Sequence, residues 1–181
     1  MSIEERNHLS LAYKRLVGGR RNAWRGVYNL ERKEASKGAT RHLETIQGYR
    51  RKIEKELASL CNEFIDIIDL GPLKASSSFE AQVYFTKMKA DYHRYLTEFQ
   101  SVPENKQVYG NEATDQAFEA YQLANEMAVA NLPTTHPTRL ELVLNYAVFY
   151  QEVLNEPDRA CMLAKLAFDE AMADLDELTE D

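Results

Sequence analysis

The amino-acid sequence predicts an all-α protein, built as an antiparallel array of about six helices. Apolar residues recur every three or four positions along most of the chain, which is the spacing of amphipathic helices. All prolines lie between these periodic segments, so they mark the joints between helices. They are Pro72, Pro103, Pro133, Pro137 and Pro157. No stretch has the composition of a linker, so residues 1–181 are expected to form a single domain.

The first three helices follow from apolar residues at helical spacing. In the first helix these are Leu9, Tyr13, Leu16, Ala23, Val27 and Leu30. In the second they are Ile46, Tyr49, Ile53, Leu57, Leu60, Phe64 and Ile68. The segment GPLKASSS at 71–78 is expected to be a loop. The third helix then carries Val83, Met88, Tyr92, Tyr95 and Phe99.

The remaining helices are separated by short polar breaks. A long loop is expected over 101–113, followed by a fourth helix over 114–130. Thr135 is a candidate N-cap for the fifth helix, with Pro137 in its first turn. The tripeptide NEP at 155–157 separates this helix from a sixth, which runs to about Leu178.

Charge and hydropathy argue against a nucleic-acid-binding protein and against a membrane or secreted protein. The net charge is −7, but residues 1–52 hold 13 Lys and Arg against 5 Asp and Glu, while the rest of the chain is acidic. An acidic protein with a basic first third is a poor candidate for nucleic-acid binding, although it can hold a local anion site. No apolar run is long enough to cross a membrane, and the first ten residues have no signal-peptide core. Cys61 and Cys161 are expected to be buried, reduced thiols, which indicates the cytoplasm.

The stretch KRLVGGRRNAWRG, at 14–26, places positive charge around two helix-weakening glycines. On a helix with 100° per residue, Lys14, Arg21 and Arg25 lie within about 20° of one line. Gly18 falls between them, about 40° from Lys14, whereas Gly19 faces away. The glycine leaves a gap in a row of cations, where an anion could lie close to the helix. The alternative is a helix that breaks or kinks at the glycines and carries solvated arginines.

Two later helices carry candidate binding groups, one for a phosphate and one for a peptide. In KMKADYHRY, Lys87 and Arg94 share a face and Tyr95 adds a hydroxyl, a donor set that suits a phosphate dianion. The alternative is a buried tyrosine beside a surface arginine. The fifth helix aligns polar and aliphatic side chains that could line a peptide groove, or simply form an amphipathic edge. These side chains are Glu141, Leu144, Asn145, Val148 and Glu152.

Four segments resemble the 14-3-3 family, in order and over nearly the whole chain. They are EERNHLSLAYKRLVGGRRNAWR, VYFTKMKADYHRYLTEF, THPTRLELVLNYAVFYQEVLN and DRACMLAKLAFDEAMADLDEL. The resemblance implies an adaptor without enzymatic activity or cofactor, which binds phosphoserine or phosphothreonine segments of partner proteins in an amphipathic groove. It assigns the phosphate to Arg21, Arg94 and Tyr95 with Lys14 beside them. It assigns the groove to Arg25, Lys87, Leu144, Asn145, Val148 and Glu152.

The chain also departs from the family pattern. The resemblance covers the third to eighth of nine family helices, so the expectation is a domain truncated at both ends, with weakened peptide binding. The family homodimer or heterodimer is expected to be absent or altered, because only the surface around Ala23, Val27, Tyr49 and Lys52 matches. Glu141 stands where the family usually has Gly and adds a negative charge near the anion site, so it is expected to modulate affinity.

Two other classes of function remain open at this stage. An enzyme is disfavoured, because the four histidines show no metal-ligand spacing and no nucleophile motif or phosphate-binding loop occurs. A phosphate-independent scaffold of the helical-repeat kind, or an inactive divergent member, would share the helix pattern but not the dependence on phosphate.

Overall fold

The computed structural model describes residues 2–38, 40–75, 78–100, 102 and 111–179, and these residues form helices and short connections without strands. The all-α prediction is therefore confirmed. The helices are α1 (Ile3–Ser36), α2 (Thr40–Leu70), α3 (Pro72–Ala75), α4 (Phe79–Gln100), α5 (Glu112–Asn131), α6 (Pro137–Glu152) and α7 (Pro157–Thr179). Within the described part of the chain, no helix is both long and apolar enough to cross a bilayer.

The chain divides into two compact units, Met1–Asp66 and Ile67–Asp181. The first unit pairs α1 with most of α2. Helix α1 begins with a capping box, in which Ser2 and Glu5 bind each other's backbone N–H groups. It continues unbroken through Gly18 and Gly19, so the helix does not break at the glycines.

The buried line of α1 differs from the predicted one. Its buried residues are Ser10, Val17, Trp24 and Glu31, each seven positions from the next. Leu16 and Leu30, which were expected to face inward, are exposed. Residues seven apart lie on almost the same side of a helix, so this line is a narrow contact between two long helices. Long helices that meet along such a seam leave neighbouring apolar residues outside it.

An ion network holds the two helices of the first unit in register. The buried guanidinium of Arg50 donates from Nε to Glu31 and from Nη1 to Glu54, both at 2.6 Å. The indole N–H of Trp24 donates to the same Glu54 oxygen at 2.9 Å. Burial alone would lower the pKa of Arg50, but the two carboxylates outweigh it and raise that pKa. If α1 slid along α2, buried charges would lose their partners. The network therefore stabilises one register of the two helices over the others.

In the second unit, α5 packs closely on its neighbours through small residues. Its buried positions include five alanines, Ala113, Ala117, Ala120, Ala124 and Ala128. Beside them the ring of Tyr121 stacks on Tyr146 with centroids 5.2 Å apart, and it lies 5.4 Å from Phe149. These rings join α5 to α6 and direct the Tyr121 hydroxyl towards α4.

Helix α4 is buried on most sides, although it is not apolar. Its buried residues include Lys87, Asp91 and His93 as well as Val83 and Phe99. Burial penalises the charged form of His93 and lowers its pKa to about 4, so this imidazole is neutral near pH 7. A helix that buries charges must pair them, and the partners of Lys87 and Asp91 build the candidate site.

Several local predictions are corrected. Pro72–Ala75 forms the short helix α3 inside the expected 71–78 loop, and α5 begins at Glu112. The N-cap of α6 is His136 rather than Thr135, because its Nδ1 accepts from the Thr138 N–H at 3.2 Å. Pro137 occupies the first turn as predicted. Cys61 is buried, but Cys161 is exposed, contrary to prediction. Most of the expected 101–113 loop lies outside the described residues.

Candidate functional site

In the first unit, the predicted cations lie along one side of α1. Lys14 and Arg25 are exposed, and Arg21 and Gly18 are half-buried. A Cβ placed on Gly18 would meet no atom within 4 Å, so the space beside this glycine is open. We call Lys14, Gly18, Arg21 and Arg25 the cation stripe. Arg20, which lies off this stripe, is held instead by Glu56 at 3.1 Å.

In the second unit, predicted side chains of α4 and α6 gather around the buried carboxylate of Asp91. Its Oδ1 accepts from the Tyr121 hydroxyl at 2.5 Å and lies 3.4 Å from Arg94 Nη2. Its Oδ2 accepts from Asn145 Nδ2 at 3.0 Å and lies 3.6 Å from Lys87 Nζ. We call these five residues the Asp91 cluster. It brings Asn145 together with Lys87 and Arg94, which the sequence analysis had placed on a different helix.

The guanidinium of Arg94 is held in one orientation. Its Nε donates to the Tyr121 hydroxyl at 3.0 Å, and its Cζ lies 5.0 Å from the centroid of the Tyr95 ring. Burial alone would lower the pKa of Arg94, but Tyr121 and Asp91 raise it, so the group stays charged. The neighbours therefore orient a permanent cation, and Tyr95 supports it through its ring face.

The hydroxyl of Tyr121 links the arginine to the carboxylate. It accepts from Arg94 and donates to Asp91. Burial, followed by the charge of Asp91, raises the pKa of Tyr121 well above its ordinary value, so the phenol keeps its proton. A neutral hydroxyl that both accepts and donates can serve as such a bridge.

Lys87, which the resemblance assigns to the groove, is buried in the second unit. Its side chain is 1% exposed, and its Nζ lies 3.0 Å from Glu141 Oε1. It also lies 5.4 Å from the centroid of the Tyr84 ring. The positive charge of Lys87 is therefore held inside the second unit by an acidic residue of α6.

The other predicted residues of α6 lie on its accessible side. Leu144 is 61% exposed, Val148 and Asn145 are half-buried, and Glu152 is exposed. The face therefore presents aliphatic surface beside an oriented amide and a carboxylate.

Sequence reasoning missed two members of the Asp91 cluster. Asp91 stands four residues after Lys87 and three before Arg94, and these spacings place ion-pair partners on one helix face. That signal was present in the motif and could have identified it. The spacing around Tyr121 did not indicate a binding role, because an aromatic residue at helical spacing predicts a position in the hydrophobic core.

Replacing Asp91 by Asn is expected to lower the free energy of unfolding by about 3 kcal/mol, because Arg94 and Lys87 lose the buried charge that compensates them. Urea unfolding monitored by circular dichroism measures the change. The matched control is Asp66→Asn, since Asp66 is exposed. Equal stability of the two variants would contradict a central role for Asp91.

Comparison with known proteins matches the chain from end to end. The profile of the 14-3-3 protein family covers residues 1–181. The chain is 49% identical to 14-3-3-like protein F of Nicotiana tabacum and to checkpoint signal transducer rad24 of Schizosaccharomyces pombe. It is 46% identical to 14-3-3 protein epsilon of Drosophila melanogaster.

All of this chain aligns with each of these relatives, and it spans 68%, 65% and 67% of their respective lengths. A match over every residue, at close to half identity, agrees with the resemblance carried by the four segments and with the all-α fold. The chain belongs to the 14-3-3 family.

Proposed function

We propose that this chain binds phosphoserine or phosphothreonine segments of other proteins. As a 14-3-3 family member it is a phospho-dependent adaptor. The observation that carries the proposal is the preorganised guanidinium of Arg94, which Asp91 and Tyr121 orient and Tyr95 supports. An arginine fixed in this way offers a phosphate paired N–H donors with little loss of side-chain entropy.

We assign the phosphate to Arg94, Tyr95, Arg21 and Lys14. The first two are the oriented cation and the hydroxyl of α4, and the other two belong to the cation stripe of α1. A phosphate dianion suits several cations and a neutral donor, because charge-assisted hydrogen bonds are stronger than neutral ones. Arg25 is proposed as a further basic residue beside the peptide.

The peptide itself is proposed to contact α6. Asn145 is held by Asp91 through one amide hydrogen, so its side-chain orientation suits pairing with a peptide backbone. Leu144 and Val148 provide aliphatic contact, and Glu152 provides a carboxylate at the edge of the face. The resemblance also gives Lys87 to the groove, which requires Glu141 to release it.

We propose that residues 1–181 act as one domain of this family, as a binding protein rather than an enzyme. Its partners are proteins rather than nucleic acid or membrane, since the net charge of −7 disfavours binding to phosphate backbones. The cytoplasm is the proposed location, because the exposed thiol of Cys161 suits a compartment that keeps cysteines reduced.

A phosphorylated peptide is expected to bind, whereas its unphosphorylated twin does not. Fluorescence anisotropy with both peptides measures this. Arg21→Ala and Arg94→Ala should each weaken binding by at least about tenfold, since each removes a charge-assisted contact to phosphate. Arg15→Ala is the matched control, because Arg15 is an exposed arginine of α1 outside the cation stripe.

Equal binding of the two peptides would replace the proposal with a phosphate-independent scaffold. Binding of neither peptide by a cooperatively folding protein would indicate an inactive member of the family.

Gly18→Ala is expected to stabilise the protein and to weaken phosphopeptide binding. The helix gains up to about 1 kcal/mol, because alanine is the better helix former and the new methyl meets nothing. The same methyl fills the gap in the cation stripe. Gly19→Ala is the control, because it should raise the free energy of unfolding by a similar amount without weakening phosphopeptide binding. Thermal unfolding and anisotropy measure the two effects, and equal affinities of the variants would contradict a role for the gap.

We also propose that the 181-residue chain lacks the usual family dimer or forms an altered one. The surface that the resemblance assigns to the dimer is accessible, with Tyr49 55% exposed and Ala23 and Lys52 also exposed. A closed dimer needs two complementary patches on each protomer. Sedimentation velocity at low protein concentration is expected to give the monomer mass of 20.8 kDa. A tight dimer would contradict this proposal.

A further inference from the structure

The ion pair between Lys87 and Glu141 changes the charge that the second unit presents beside α6. The ammonium of Lys87 is almost fully buried, with 1% of its side chain exposed. A buried ammonium needs nearby acceptors, because it has lost the hydrogen bonds that water provides. Two carboxylates are placed to meet this need, Asp91 and Glu141.

Asp91 is the weaker of the two partners for Lys87. Its oxygens already accept hydrogen bonds from Tyr121 and Asn145. Its Oδ2 lies 3.6 Å from the Lys87 Nζ, which is beyond an ordinary hydrogen bond. Glu141 Oε1 lies at 3.0 Å, within hydrogen-bond distance. Glu141 is therefore the main acceptor for this ammonium.

Of the two paired groups, the carboxylate of Glu141 is accessible and the ammonium of Lys87 is not. Glu141 is 42% exposed while Lys87 is buried, so a molecule lying on this part of α6 meets the carboxylate. Glu141 is one helical turn before Asn145, the amide proposed to pair with a peptide backbone. A peptide held by Asn145 would thus pass close to a negative charge.

We propose that Glu141 is a specificity-determining residue, which selects phosphopeptides with a basic side chain and rejects those with an acidic one where the peptide passes α6. The inference rests on the proposed function and adds the chemical class of the preferred ligand. The basis is electrostatic, since like charges brought together in a complex oppose binding and opposite charges favour it. Because the family usually has Gly at this position, the contribution of Glu141 to this preference belongs to this chain.

The test is a charge scan of the phosphopeptide. Each of the two residues on either side of the phosphoserine is changed in turn to Lys, Ala or Glu, and affinities are measured by anisotropy. The native chain is expected to bind the Lys peptide about fivefold more tightly than the Glu peptide at one position at least. In Glu141→Gln, which keeps the shape and removes the charge, that ratio should fall to about one.

Glu119→Gln is the matched control. It makes the same change of net charge at an exposed glutamate of α5, and it should keep the native ratio. Glu141→Gly provides a second variant in case the amide disturbs Lys87, and it should also bind the Glu peptide better than the native chain does. Thermal unfolding of each variant verifies that it is folded.

The outcomes separate the two proposals. Phosphate-dependent binding with the same Lys-to-Glu ratio in native chain and Glu141→Gln overturns the role of Glu141 and leaves the proposed function intact. If no phosphopeptide in the scan binds to the folded native chain, the proposed function fails and the inference falls with it.

Discussion

The carboxylate of Asp91 is the group on which the arrangement of the second unit depends. It is 2% exposed and lies on α4, a helix that is buried on most of its sides. A single negative charge there orients a phenol, an amide and a guanidinium, and lies close to an ammonium. Arg94 and Lys87 lie on α4 itself, but the phenol belongs to α5 and the amide to α6, so these three helices must meet in one register to satisfy the carboxylate. The same requirement that stabilises the unit therefore also shapes the proposed binding site.

The first unit also pairs charges that are buried between helices, but its central group is a cation. Here the buried cation Arg50 is central, and the carboxylates Glu31 and Glu54 surround it. This network is enclosed between two long helices and presents no group at the surface. In the Asp91 cluster, by contrast, Arg94 and Asn145 are only partly buried. When some side chains of a buried network remain accessible, they can bind a ligand with little loss of side-chain entropy, because the network already orients them.

Glu141 shows how one side chain can change the charge beside such a site while the hydrogen bonds of Asp91 stay the same. It stands outside the Asp91 cluster and contacts it through Lys87. The contacts of Asp91 with Tyr121, Arg94 and Asn145 do not involve it. The residues proposed to bind phosphate and the negative charge of Glu141 are thus separate side chains. Divergence at a position of this kind changes the preferred ligand while the shared chemistry is kept.

The sequence by itself determined the helical class, the helix joints and the residues proposed to bind. Apolar spacing and proline position are local properties, so they predicted α1, α2 and α4–α7 to within a few residues. The resemblance of four segments identified the family. Local spacing also placed Lys14, Gly18, Arg21 and Arg25 on one side of α1, because helical geometry alone decides that.

Only the tertiary structure decided which of these residues are paired, buried or accessible. Val17 and Trp24, rather than Leu16 and Leu30, face inward because the seam between α1 and α2 selects one line among several apolar ones. Tyr121 joins the Asp91 cluster across 30 positions of sequence, and Glu141 reaches Lys87 from a different helix. Such contacts depend on how helices pack, and the spacing of residues along one chain segment carries no information about a partner on another helix.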